Sequence, residues 1–138
     1  MAHTRIRKFN TRDTYPEQQL DNDLAQAVVT QGGRIVWLRG QCPQDLDTAR
    51  SIASQDPVEQ THRVMQNIRQ LIEEAGGKME HLVKVVVYLT DLRHREAVYR
   101  TMGEYIRGVH PVSTGLVVTA LARPEWLVEI DGTAVIPE

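Results

Sequence analysis

Apolar positions along this chain keep two rhythms. Val58, Met65, Ile68, Leu71 and Ile72 recur on one stripe at helical spacing. The segment Asp56-Pro57-Val58-Glu59 opens that stripe with a capping residue, a proline suited to the first helical position, and a glutamate placed for a capping box. Gly76–Gly77 closes it, because glycine accepts the left-handed conformation that ends helices. The second rhythm is extended. Leu82–Thr90 (LVKVVVYLT) is nearly all apolar and β-branched, which predicts a central strand buried on both faces. Asp91 is a cap for a second helix running to about Arg107, with Val98, Met102, Tyr105 and Ile106 on one side.

Shorter strands are predicted at Ile6–Phe9, Ala25–Thr30 and Arg34–Arg39, the last two forming a hairpin across Gly32–Gly33. Gly40–Gln55 reads as a loop. Two final strands, about Thr114–Leu121 and Leu127–Val135, are joined by the turn Arg123-Pro124-Glu125. The order β-β-β-α-β-α-β-β predicts an α+β fold with two helices packed on one face of a mixed sheet. The opposite face then meets either solvent or another subunit.

Alternation along the last strand puts Leu127, Glu129 and Asp131 on one face and Val128 and Ile130 on the other. Two readings of Glu129 stay open. Lining a closed subunit interface, it is a water-handling base; facing open water, it is a solvated or salt-bridged strand residue.

A chain of 138 residues is one domain, spanning 1–138, and is short enough that self-association is a natural way to cover surface. The formal net charge of −2, with no block of like charge, argues against a partner that is nucleic acid. The start, MAHTRIRKFNTRD, carries no apolar core of a leader, and no apolar run reaches membrane-spanning length. The expectation is a cytoplasmic protein with no membrane partner. The one cysteine, Cys42, excludes an intrachain disulfide and reads as an inert thiol. His3, His62, His81, His94 and His110 form no pair at metal-ligand spacing, so no metal is expected, and His62 and His94 are placed on exposed helix faces. There is no phosphate-cradling glycine loop and no relay for Ser113. Trp37 reads as core or interface packing and Arg123 as a turn-surface residue.

Several segments in order resemble the RidA/YjgF family of enamine/imine deaminases. They are Gln26-Ala27-Val28, Gly40-Gln41, Asn67-Ile68, Glu74-Ala75-Gly76, Val83-Lys84-Val85 through Tyr88-Leu89-Thr90-Asp91, and Val128-Glu129-Ile130. The likeness runs from about Leu24 to Pro137. It implies a chorismate-mutase-like fold and a homotrimer whose sheets close into a central barrel, with a ligand cleft at each interface. It also implies that Glu129 activates or places the attacking water, with no cofactor. The arginine that binds the substrate carboxylate in that family is missing. Anchored on Pro111, Ser113 takes its place; anchored on Glu129, Thr114 does. Gly115 replaces a family cysteine, Leu24 a pocket tyrosine and Tyr99 an asparagine, and the loop before Trp126 is one residue longer.

Arg39 stands where deaminating members carry a small serine; it either supplies positive charge to the cleft from another wall or is a solvated charge at a strand end. Gly40, Ser113 and Thr114 are candidate ligand contacts, Tyr99 a candidate floor and Trp126 a candidate roof. The substrate expected is a small anionic enamine or imine metabolite. The alternative is a trimer of the same family that binds a metabolite, or acts as a scaffold, without turnover. A ribonuclease reading, attached to some relatives, is disfavoured by the charge and by the lack of a basic, aromatic stripe.

Overall fold

The computed structural model describes residues 3–138. Six strands, two long helices and one single-turn helix appear in the order β1 (Thr4–Asn10), α1 (Thr11–Thr14), β2 (Asp23–Val29), β3 (Arg34–Trp37), α2 (Pro57–Glu74), β4 (Leu82–Leu89), α3 (Arg95–Gly103), β5 (Val112–Val117) and β6 (Val128–Ile136). Short 3-10 turns precede β4 and α3. The main sheet has the order β3-β6-β4-β5, with β4 and β5 parallel and the other pairs antiparallel. The α+β architecture and the mixed sheet are those expected from the pattern. No helix among the described residues is long and apolar enough to cross a membrane.

Helix α2 begins as its sequence indicates. Asp56 Oδ1 accepts from the Val58 N–H at 2.8 Å, and Pro57 occupies the first turn. The capping box does not form. Glu59 instead accepts from the Ser54 hydroxyl at 2.6 Å, and Ser54 also accepts from the Asp56 N–H. The helix ends at Gly76, whose φ is +93°, as its N–H and that of Gly77 return to Glu73 and Ile72. Met65, Ile68 and Ile72 of α2 meet Val98 and Met102 of α3, and Ile106 in the turn beyond it, over Val85, Val87, Val128 and Ile130 of the sheet, all fully buried. Each such side chain contributes about 1.5–3 kcal/mol.

Four expectations change. The segments flanking Gly32–Gly33 do not form a hairpin: β2 pairs with β1, and β3 pairs with β6. Gly33 serves close approach, since a Cβ there would sit 2.6 Å from the Ile136 carbonyl oxygen. The central strand β4 is covered on one face only. Val85, Val87 and Leu89 lie in the core, while Lys84 is exposed and Val86 and Tyr88 are half-buried on the face without helices. The β5 ladder starts at Val112 and stops at Val117, because its partner β4 ends at Leu89. His62 and His94 are half-buried rather than exposed, and His62 Nδ1 lies 2.7 Å from the Tyr105 hydroxyl.

The β1-β2 ribbon meets the start of β5 through the Ala25 N–H to Pro111 carbonyl bond of 3.1 Å. The helix-free face of the main sheet carries Trp37 at 77 % exposed, Ile35 at 53 % and Leu116 at 40 %. The core alternative for Trp37 therefore fails within one chain.

Candidate functional site

The alternation of β6 holds. Val128 and Ile130 are fully buried, while Glu129 and Asp131 are half-buried on the helix-free face. Glu129 pairs across the ladder with Tyr88, and the Tyr88 hydroxyl donates to Asp131 Oδ2 at 3.1 Å. That bond to a carboxylate is the main reason the Tyr88 phenol is pushed above its usual range.

On the other side of Glu129 the chain leaving β3 folds against β6. The Gln41 N–H donates to the Ile130 carbonyl at 2.8 Å, and the Ile130 N–H returns to the Gln41 carbonyl at 3.1 Å. This pairing fixes Gly40 and Cys42 around the carboxylate. The Cys42 thiol donates to Glu129 Oε1 at 3.2 Å. A Cβ on Gly40 would run into Glu129 Oε2, so the absence of a side chain there is what leaves that oxygen its place. Burial, reinforced by the bond to Glu129, pushes the Cys42 thiol up to about 12. It stays protonated near neutral pH, in keeping with the inert thiol expected.

Two buried amides of α2 hold the walls of this corner. Gln60, 1 % exposed, donates to the Glu125 carbonyl at 2.9 Å and to the Ser54 carbonyl at 3.1 Å, and accepts from the Leu127 N–H at 2.8 Å. It sets where β6 begins. Asn67 donates to the Gln44 carbonyl at 2.8 Å and sets the loop after Cys42. Sequence reasoning gave Gln60 no role and Cys42 no partner. The only available signal was a polar residue inside the buried stripe of an amphipathic helix.

Arg39 follows β3 and is exposed, and its guanidinium makes no ion pair among the described residues. With Gly40, Gln41, Trp37 and Leu71 it lines a cleft of about 390 Å³ along the outer edge of β3. Gly40 joins this cleft to Glu129, which is not itself among the cleft's lining residues.

The remaining candidates lie elsewhere in the chain. In register with β4, Ser113 sits beside Val85 on the helix side of the sheet, and Thr114 sits beside Val86 on the helix-free side. Ser113 Oγ lies 3.3 Å from the Tyr99 hydroxyl. Tyr99 is 3 % exposed beneath β5, with the Arg95 guanidinium 4.5 Å from its ring centre. A Cβ on Gly115 would strike that same hydroxyl, so the large residue at 99 and the missing side chain at 115 fit together. Ser113, Thr114 and Lys84 line a groove of about 560 Å³ between β2 and β5. Thr114 and Glu129 are two strands and two residues apart, or ~12 Å between Cα atoms from the usual strand spacing and rise. Trp126 is 5 % exposed, donates to Ser51 Oγ at 3.0 Å and carries Arg123 over its ring at 5.1 Å. It braces the loop at Ser51.

The family model described as Endoribonuclease L-PSP matches residues 18–136. Among curated proteins, the chain is 35 % identical to Protein DfrA of Myxococcus xanthus over 80 % of this chain and 83 % of that protein. It is 34 % identical to a RutC family protein of Pyrococcus abyssi over 74 % of this chain and 79 % of that protein. Among solved structures, the Rid family protein YyfB of Yersinia pestis superposes with a TM-score of 0.79 over 99 % of this chain and 100 % of that one, at 24 % identity. A YjgF family member from Neisseria meningitidis gives a TM-score of 0.67 at 28 % identity, covering 83 % and 87 % of the two chains. With the fold, the order of its motifs and these matches in agreement, the chain belongs to the Rid/YjgF family, the group matched by the Endoribonuclease L-PSP model.

Proposed function

We propose that this protein hydrolyses small, reactive, anionic enamines or imines at clefts between the subunits of a homotrimer. The observation that carries this reading is the Glu129 carboxylate. It stands on the helix-free sheet face, one oxygen held by Cys42 and the other against the bare backbone of Gly40. The exposed Trp37, Ile35 and Leu116 make that same face costly to leave in water, and a second and third copy would cover it. A neighbouring copy would also bring its own Thr114 of β5 and Lys84 of β4 toward Glu129, which lies ~12 Å from Thr114 within one chain.

In this reaction Glu129 orients a water for attack on the C=N carbon. The C–O bond forms as the π electrons pass to nitrogen, and Glu129 takes a proton from the water. The carbinolamine then collapses. Glu129 returns its proton to the nitrogen, the hydroxyl gives up its own proton to the same atom, the C–N bond breaks, and ammonia leaves a carbonyl compound behind. An enamine enters the same route after protonation at carbon. The imine carbon is already electrophilic, so positioning supplies most of what is needed and the reaction calls for no cofactor. Arg39, unpaired beside Gly40, holds the substrate's anionic group in place of the family's arginine.

A second reading is a trimer that binds a metabolite without turnover. It is favoured by the commitment of the Ser113 hydroxyl to Tyr99, and by the absence of a guanidinium on β5. Ammonia release from freshly generated imines, with the Glu129→Gln variant beside the wild type, separates the two. Turnover that disappears in the variant supports hydrolysis. Ligand-induced melting shifts with no ammonia support binding. Light scattering should give three times the chain mass of 15.7 kDa, and a monomer would remove the cleft altogether.

A further inference from the structure

We propose that Cys42 is a positioning residue for Glu129: its thiol pins one carboxylate oxygen so that the other is left to accept from the attacking water. The inference rests on the hydrolytic reading above and gives a task to a residue that reading does not use.

The geometry is specific. Sγ donates to Oε1 at 3.2 Å, a normal length for a bond to sulfur, and Cys42 is 7 % exposed, so water competes little for the carboxylate on that side. The thiol is presented from fixed backbone on both flanks. Gln41 is locked to Ile130 by two backbone bonds, and Asn67 donates to the carbonyls of Gln44 and, at 3.4 Å, of Cys42. Oε2 takes the room a side chain at Gly40 would fill, and it accepts no hydrogen bond among the described residues, so its capacity to accept is unspent. A thiol is a weak donor in general, but its partner here is a carboxylate, which strengthens the bond. The group also remains a thiol across the neutral range, because burial and the neighbouring carboxylate oppose its ionisation. It therefore acts as a fixed donor, with no nucleophilic part.

The attacking water must be held within a narrow range of angle and distance. A carboxylate free to turn about its last bonds would spend much of its time misdirected. Pinning one oxygen removes that freedom while the free oxygen keeps its capacity to accept. Loss of the pin should lower kcat more than it changes KM, since substrate binding does not use the thiol.

The chain has a single cysteine, so its infrared S–H stretch is a single band that reports this contact alone. The band should lie on the low-frequency side of a free thiol in the wild type and move toward the free position in Glu129→Gln. In ammonia-release kinetics, Cys42→Ala should lose about tenfold in kcat, with KM changed by less than about twofold. Cys42→Ser keeps a donor with a shorter reach and should recover most of the loss. A wild-type kcat in Cys42→Ala overturns the role, as does a Cys42→Ser variant no better than Cys42→Ala. An S–H band unmoved by Glu129→Gln overturns it too. Should Cys42→Ala melt below the assay temperature, the serine variant and the band decide. If the wild type itself releases no ammonia, the reaction and this role fall together, whereas turnover that ignores Cys42 removes the role alone.

Discussion

Replacing Gly115 with alanine should destabilise the protein, and Tyr99 should decide by how much. A Cβ at 115 meets the Tyr99 hydroxyl first, with the ring carbons Cζ and Cε1 behind it at 3.0 and 3.2 Å. The tyrosine has little room to retreat. Its ring is 3 % exposed, Arg95 covers one face at 4.5 Å, and the hydroxyl lies 3.3 Å from Ser113 Oγ. Overpacking against an immobile neighbour costs about 1–3 kcal/mol, and the upper half of that range applies here. Tyr99→Phe deletes the atom struck first. What remains is the 3.0 Å contact to Cζ, which a shift of a few tenths of an ångström relieves. In the Tyr99→Phe background Gly115→Ala should therefore cost under about 1 kcal/mol, a coupling of ~1–2 kcal/mol between the two positions. The assay is urea unfolding of the wild type, both single variants and the double variant, with equal m values as the check that one transition is compared throughout. An equal cost of Gly115→Ala in both backgrounds would refute the steric account of why this chain lacks a side chain at 115.

Gly40→Ala should act differently, because the obstacle there is the free end of a side chain: the Glu129 carboxylate swings aside, stability falls by only about 1 kcal/mol, and kcat for ammonia release drops ~100-fold, which steady-state kinetics beside a melting curve would measure. Gln60→Ala leaves three half-buried backbone groups without their partner and should cost about 2–4 kcal/mol in urea unfolding. The Cys42 pKa, raised from 9.0 to about 12, makes the folded thiol a weaker acid than the unfolded one. Its contribution is complete below about pH 9 and is lost as pH rises toward 12, at about 1.4 kcal/mol per pH unit and at most ~4 kcal/mol. The difference in unfolding free energy between wild type and Cys42→Ala should shrink over that window and stay flat below it.

The start and stop of α2 were legible because capping and glycine termination are local chemistry written within a few residues. The apolar run of β4 likewise announced a strand. Its partners were not legible, since residue pattern fixes that a segment is extended but not what it lies beside. That is why Gly32–Gly33 suggested a hairpin between β2 and β3, whose real partners β1 and β6 come from opposite ends of the chain. The same distance hid half of the candidate site. Alternation put Glu129 on the correct face, but the contact that holds it comes from Cys42, 87 residues earlier, and a lone buried thiol carries no mark of its partner. Ser113 and Thr114 could be named as neighbours in sequence, yet only the register with β4 showed that they face opposite sides of the sheet.

Gln60 and Asn67 project from a single helix and grip the two backbones on either side of Glu129. A rotation or axial slip of α2 would carry both grips together, so the carboxylate would be steered as a unit with its surroundings. Laboratory evolution toward new substrates should for that reason enrich changes on the buried stripe of this helix, one layer removed from any ligand, as often as changes in the cleft lining. The helix works as a tuning screw for the corner it supports.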